Sequence, residues 1–172
     1  MANTWTLLVQ GKAFSAGGVM AGILNAGARV LRIRRIGFIN YQTAAVTGVL
    51  CAGEIRRYTG AGWTTPTSVS PFPHDTTDSA LVSVTLGHAG TPTGTPTVLR
   101  RYQWSSDEPA VSGATLDEWE LLPVLGLLWD AGFGDANVQP LVLRTNESLM
   151  IVNTVGAAGL VDIWIEFTDE AS

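Results

Sequence analysis

From Val161 to Phe167 the chain alternates without a fault: Val161, Ile163, Ile165 and Phe167 take one phase, Asp162, Trp164 and Glu166 the other. A period of two puts these sets on opposite faces of a strand, one toward a core, the other carrying Trp164 between two carboxylates. Just before it, the apolar run Leu149-Met150-Ile151-Val152 is opened by Asn146-Glu147-Ser148 and closed by the glycine-containing residues 153–159. That pattern predicts a second strand, joined to the last as a hairpin. Residues 140–144 predict a further short strand, with Pro140 suited to its start.

In the first half, strands are predicted over residues 4–10, 18–24, 30–40, 46–58, 80–86 and 97–104. Turn-rich stretches separate them at 59–62 and 66–73. The low-complexity Gly90-Thr91-Pro92-Thr93-Gly94-Thr95-Pro96-Thr97 is incompatible with helix and predicts an exposed, extended loop. Residues 124–129 predict a buried strand or an apolar contact segment. Thr115-Leu116-Asp117-Glu118 fits a capping box and a short helix over 116–122, stopped before Pro123, although Trp119 and Leu121 also alternate with Glu118 and Glu120. Short strands with Gly/Pro punctuation predict an all-β fold: an antiparallel, jelly-roll-like β-sandwich in one domain, 1–172, with at most one short helix near 116–122.

One strand breaks phase. Leu31 and Ile33 share one parity, Ile36 and Phe38 the other, so the alternation slips at Arg34-Arg35. A β-bulge there sends two consecutive side chains to solvent and bends the strand. The same apolar-Arg-Arg-apolar tetrad recurs as Ile55-Arg56-Arg57-Tyr58 and Leu99-Arg100-Arg101-Tyr102. Two roles fit these pairs. They blunt strands against edge pairing, or they present forked donors to carboxylates on a neighbouring protein, which arginine does better than lysine.

Composition sharpens this. The 172 residues are 46% hydrophobic and 15% charged, with 19 Gly and 8 Pro, which disfavours coiled coils and helical bundles. Net charge is −5, wrong for a chain whose main partner is a nucleic-acid backbone. Residues 1–101 carry nine positive charges against three negative, a net of +6, whereas residues 102–172 set Arg144 against twelve carboxylates, a net of −11. Either interleaved strands pair these charges within one molecule, or a basic flank of one subunit meets an acidic flank of the next. The N-terminal residues lack a signal-peptide pattern, and the uncharged run 13–28 is too short and too polar to span a bilayer, so a soluble protein without export or membrane contact is expected.

Candidate chemistry is sparse. Cys51 is single and sits in an apolar stretch. His74 and Asp75 lie in an Asx-rich loop that more simply satisfies its own backbone, and His88 is a turn residue. With no metal-ligand spacing, nucleophile elbow or phosphate-binding loop, no catalytic residue, metal or cofactor is assigned and a non-enzymatic protein is expected. Six tryptophans are many for this length. Trp63, in a Gly/Thr-rich loop, and Trp164, on the polar face of the last strand, are candidate anchors for protein or sugar, unless a neighbouring segment covers them.

The abundance of Gly, Thr and Ala, the stretch Arg29-Val30-Leu31-Arg32-Ile33-Arg34-Arg35-Ile36-Gly37-Phe38, and the close Leu143-Arg144-Thr145-Asn146-Glu147-Ser148-Leu149 leading into the terminal strands resemble head decoration, or cement, proteins of tailed bacteriophages. The resemblance implies a jelly-roll virion protein made in the host cytoplasm. It implies a homo-oligomer, often a trimer, that stabilises the head by binding across major capsid subunits. On that reading Arg34, Arg35, Arg56, Arg57, Arg100, Arg101, Trp63 and Trp164 lie at contacts. A carbohydrate-binding jelly-roll module, or a tail- or fibre-associated virion protein, is the alternative.

Overall fold

A computed structural model describes residues 3–40, 49–106, 125–131, 139–155 and 159–170. The proposed helix at 116–122 lies outside them. The described residues form two antiparallel sheets. The long strands are β1 (Asn3–Ala13), β2 (Val19–Asn25), β3 (Val30–Asn40), β4 (Val49–Thr64) and β8 (Thr91–Ser106). Between β4 and β8 lie β5 (Thr67–Ser68), β6 (Phe72–Pro73) and β7 (Val84–His88). The chain ends through β9 (Leu125–Asp130), β10 (Leu141–Leu143), β11 (Glu147–Asn153) and β12 (Leu160–Glu170).

Pairing is nested. β1 lies against β12, β2 against β11, β3 against β9 and β10, and β4 against β8. One long hairpin wrapped on itself gives this order and sends successive strands to alternate layers, as in a jelly roll. The outer sheet, as we name it, runs β10-β3-β12-β1-β6 with β9 also on β3. The second runs β5-β7-β2-β11-β4-β8. Residues 65–90 interrupt the β4–β8 pair and cross to the opposite side of the sandwich, where β6 extends β1 and β7 extends β2.

The core follows from alternation. Trp5, Leu7 and Val9 of β1, Leu31, Ile33, Ile36 and Phe38 of β3, and Val161, Ile163, Ile165 and Phe167 of β12 face Ile23, Ile55, Leu149 and Ile151 of the second sheet. Each such side chain contributes about 1.5–3 kcal/mol on burial. The predicted bulge is present: Glu166 is opposite Arg35 and Phe167 opposite Ile33, which leaves Arg34 as the extra residue. It brings Ile36 and Phe38 back to the core side.

Two expectations are corrected. β11 and β12 do not form a hairpin, since β11 pairs β2 and β4 while β12 pairs β1 and β3. The apolar run 149–152 is the mark of a strand buried on both faces: Leu149 and Ile151 join the main core, Met150 and Val152 a smaller cluster on the other side of the sheet. Residues 91–97 are not a loop but the first part of β8, paired with the end of β4. β8 is an edge strand, where Pro92 and Pro96 are tolerated and blunt further pairing.

Candidate functional site

The three arginine tetrads find carboxylates within the chain. On β3, Arg35 Nε donates to Asp130 Oδ2 at 3.2 Å, and Arg34 lies 3.9 Å from Glu170, which Arg32 also engages. On β4, Arg57 Nη2 donates to Glu147 Oε1 at 2.6 Å. The second and third tetrads meet at one group: Glu54 accepts from Arg56 Nε at 2.8 Å and from Arg101 Nε at 3.1 Å. The bond to Arg56 leads in holding the Glu54 carboxyl below its ordinary range, with help from Arg101, although burial opposes both. Arg56 is pushed further up, first by Tyr58 and then by Glu54. Arg100 has no ion pair among the described residues, and the Arg101 side chain remains 81% exposed.

These contacts decide how the charge asymmetry is used. Arg29, Arg32, Arg34, Arg35 and Arg57 of the basic half each reach a carboxylate of the acidic half. Among the described residues, interleaved strands therefore pair part of the basic half with part of the acidic half within one molecule. Arg101, with a side chain 81% exposed, and Arg100, with no ion pair among the described residues, keep donors open to solvent.

Trp63 is a covering residue. The β4 strand carries an irregularity between Thr59 and Gly62, and beyond it the half-buried indole packs with Ala61 against Val19, Tyr58, Met150 and Val152 on the outward side of the second sheet. A Cβ at Gly22 would fall 3.0 Å from Trp63 Cη2 and 2.3 Å from Met150 Sδ, so only glycine admits both. The indole N–H donates to the Ala89 carbonyl at 2.8 Å.

Trp164 has a different setting. Its ring lies across Gly37, where a Cβ would sit 2.1 Å from Trp164 Cζ2. Cross-strand register places Leu8, Trp164, Gly37 and Leu127 in one row over β1, β12, β3 and β9. Directly opposed residues share a face, so this apolar row lies on the outward side of the outer sheet. The neighbouring row runs Phe72, Thr6, Glu166, Arg35 and Asp130. Phe72 is 59% and Leu127 44% exposed. On the other flank, Asp162 Oδ1 accepts from the Gly11 amide at 2.6 Å. The result is an apolar stripe with charged margins.

Of this surface, the sequence singled out Trp164 and Arg35. It missed Leu8, Gly37, Phe72 and Leu127, which join only through register. Gly37 was the one available signal, since a lone glycine inside a strand marks a close approach.

The histidine loop does local work. His74 Nε2 lies 2.8 Å from Thr6 Oγ1, and Asp75 Oδ1 accepts from the Thr77 amide and hydroxyl at 2.8 and 2.7 Å, which lowers the Asp75 pKa. Burial, then the charge of Lys12, lowers that of His88. Among the described residues no three His, Cys, Asp or Glu side chains group to hold a metal ion, and no helix is long and apolar enough to cross a membrane. Comparison of the chain with protein-family models, with curated proteins and with solved structures finds no match.

Proposed function

We propose that this is a non-enzymatic virion structural protein, a homo-oligomeric decoration protein that stabilises a tailed-phage head by binding across major capsid subunits. The observation that carries the proposal is the apolar row Leu8–Trp164–Gly37–Leu127 on the outward side of the outer sheet, in which Leu8 and Trp164 are half-buried and Leu127 is exposed, with exposed Phe72 in the neighbouring row. An aromatic centre in an apolar stripe, rimmed by charge, is the anatomy of a protein contact. A pleated face built on four hydrogen-bonded strands is rigid, so little order is lost on docking.

The internal pairing of the arginines supports the same division of labour. Ion pairs hold β3, β9 and β12 in register, and the apolar row is left for a second copy of the chain in the homo-oligomer, whose several subunits together engage the capsid. Many copies of a modest contact then add to a large effect on a lattice. The test is to add the purified protein to heads assembled without it and heat them. Release of packaged DNA at a higher temperature, abolished by Trp164→Glu, supports the proposal. Unchanged release with no protein bound to the particles refutes it.

A further inference from the structure

The surface through Trp164 carries more than apolar area. A Cβ at Gly37 would sit over Trp164 Cζ2 with the neighbouring Cη2 and Cε2 at 2.5 and 2.6 Å. A point beside the rim of the ring would be farther from both neighbours, so the indole lies flat on Gly37 and turns its other face outward. Two residues away on either side, Asp162 and Glu166 stand on the same face of β12. Glu166 is opposite Arg35, but Arg35 Nε is on Asp130, and Glu166 makes no ion pair among the described residues. A π-face between two carboxylates is a seat for a guanidinium, which stacks on indole and forks to carboxylates.

The chain carries a matching surface elsewhere. Arg29, Arg32, Arg34, Arg35, Arg56 and Arg57 end on carboxylates of their own chain. Arg100 is exposed and has no ion pair among the described residues, and Arg101 commits Nε to Glu54 while its side chain stays 81% exposed. Val98 beside them is 44% exposed. All three lie on β8, at the end of the second sheet. Arg101 is opposite Glu54, on the outward side that carries Met150 and Val152. The two sheets pack about 10 Å apart, and the two surfaces look away from each other, so no copy can join its own pair. Nor can one neighbour cover both at once. We infer that copies associate head to tail, with Arg100 and Arg101 of one seated on Trp164 between Asp162 and Glu166 of the next. This rests on the reading of the Trp164 row as a contact between copies and supplies the other half of that contact. Such a heterologous contact repeats from copy to copy and closes a ring when its rotation allows.

Light scattering coupled to size exclusion reads four full-length samples over a concentration series: the wild type, an edge variant (Arg100→Glu with Arg101→Gln), Trp164→Glu, and an equimolar mixture of the two variants. Circular dichroism checks that each is folded; if the double edge variant is not, Arg100→Glu alone, at a residue with no ion pair to lose, takes its place. Removing one side of a buried charge contact weakens association by about thirtyfold or more, so each variant alone is expected as a monomer where the wild type holds three or more copies. The mixture should give a species of two copies, because the edge variant keeps an intact Trp164 seat and Trp164→Glu keeps intact arginines. A mixture that stays monomeric at every concentration, a wild type of two copies only, or an edge variant that keeps the wild-type mass overturns the head-to-tail inference while leaving the Trp164 row as a contact between like faces. A wild type that is monomeric at every concentration refutes the homo-oligomer itself.

Discussion

Deleting Arg34 removes the extra residue of the bulge and makes β3 regular: Leu31, Ile33, Ile36 and Phe38 then share one phase, and Arg35 follows Ile33 as Glu166 precedes Phe167 across the pair. Leu31, Ile33 and Ile36 are completely buried and Phe38 is 9% exposed, and in the deletion variant all four keep their inward positions. A change that put the two halves of β3 out of phase would flip every side chain beyond the slip and expose two of them, at about 3–6 kcal/mol for about 1.5–3 kcal/mol each. The deletion avoids that loss and gives up only the bend at the bulge and a 3.9 Å contact from a side chain 44% exposed, so its cost should stay below about 3 kcal/mol. Arg34→Ala keeps the bulge and gives up the contact alone, so its cost should stay within about 0.5 kcal/mol. Urea unfolding followed by tryptophan fluorescence measures both. If the deletion costs as much as exposing two core side chains, Arg34 is not the extra residue that the bulge accommodates.

Other expectations concern single groups. Glu54→Gln breaks the junction of the second and third tetrads and should cost about 1–3 kcal/mol at neutral pH in urea unfolding. Because the folded Glu54 pKa is depressed, its contribution is complete above the ordinary glutamate range and is lost as pH falls through the depressed value; the acid limb of a stability–pH profile should flatten in Glu54→Gln. Asp169 has the opposite sign. It is 1% exposed, and burial raises its pKa against the opposing charge of Arg29. Arg29 Nε lies 2.7 Å from Asp169 Oδ1, yet neither atom makes a hydrogen bond. The ionised form therefore costs stability above the raised value, and that cost disappears as pH falls toward the ordinary aspartate range. Asp169→Asn should unfold at equal or higher urea than the wild type at pH 7 and lose this advantage in acid. A large loss at pH 7 would show that the Arg29 contact outweighs desolvation. Trp63→Ala should lower the thermal midpoint by uncovering Met150 and Val152, at a cost of about 2–4 kcal/mol.

Much of this fold was legible because alternation reports which side chains share a face. β3 could be read from residue 30 to 40 with its bulge, and β12 with Trp164 on the outward side. Alternation does not report which strand lies alongside. Hence β11 and β12, neighbours in sequence, were expected to pair, although the double-sided burial of Met150 and Ile151 requires β11 to be central in its own sheet. The Gly-Pro-Thr stretch was misjudged for a related reason: proline forbids a central strand but not the free side of an edge.

The site was less legible than the fold. Arg56 and Arg101 are 45 positions apart in sequence, yet both end on Glu54. Trp63 stood among turn residues and looked open, whereas the irregularity before Gly62 lays it over Gly22. The row through Trp164 draws one residue from each of four strands, and no local pattern in any of them announces it.

The proposal turns on the outward row through Trp164 as the contact between copies of this protein in a homo-oligomer. Light scattering coupled to size exclusion measures the mass of the wild type and of Trp164→Glu, with circular dichroism to confirm that both remain folded. The account predicts a discrete oligomer for the wild type and a folded monomer for the variant; a wild type that stays monomeric at every concentration, or a Trp164→Glu variant that keeps the wild-type mass, would contradict it.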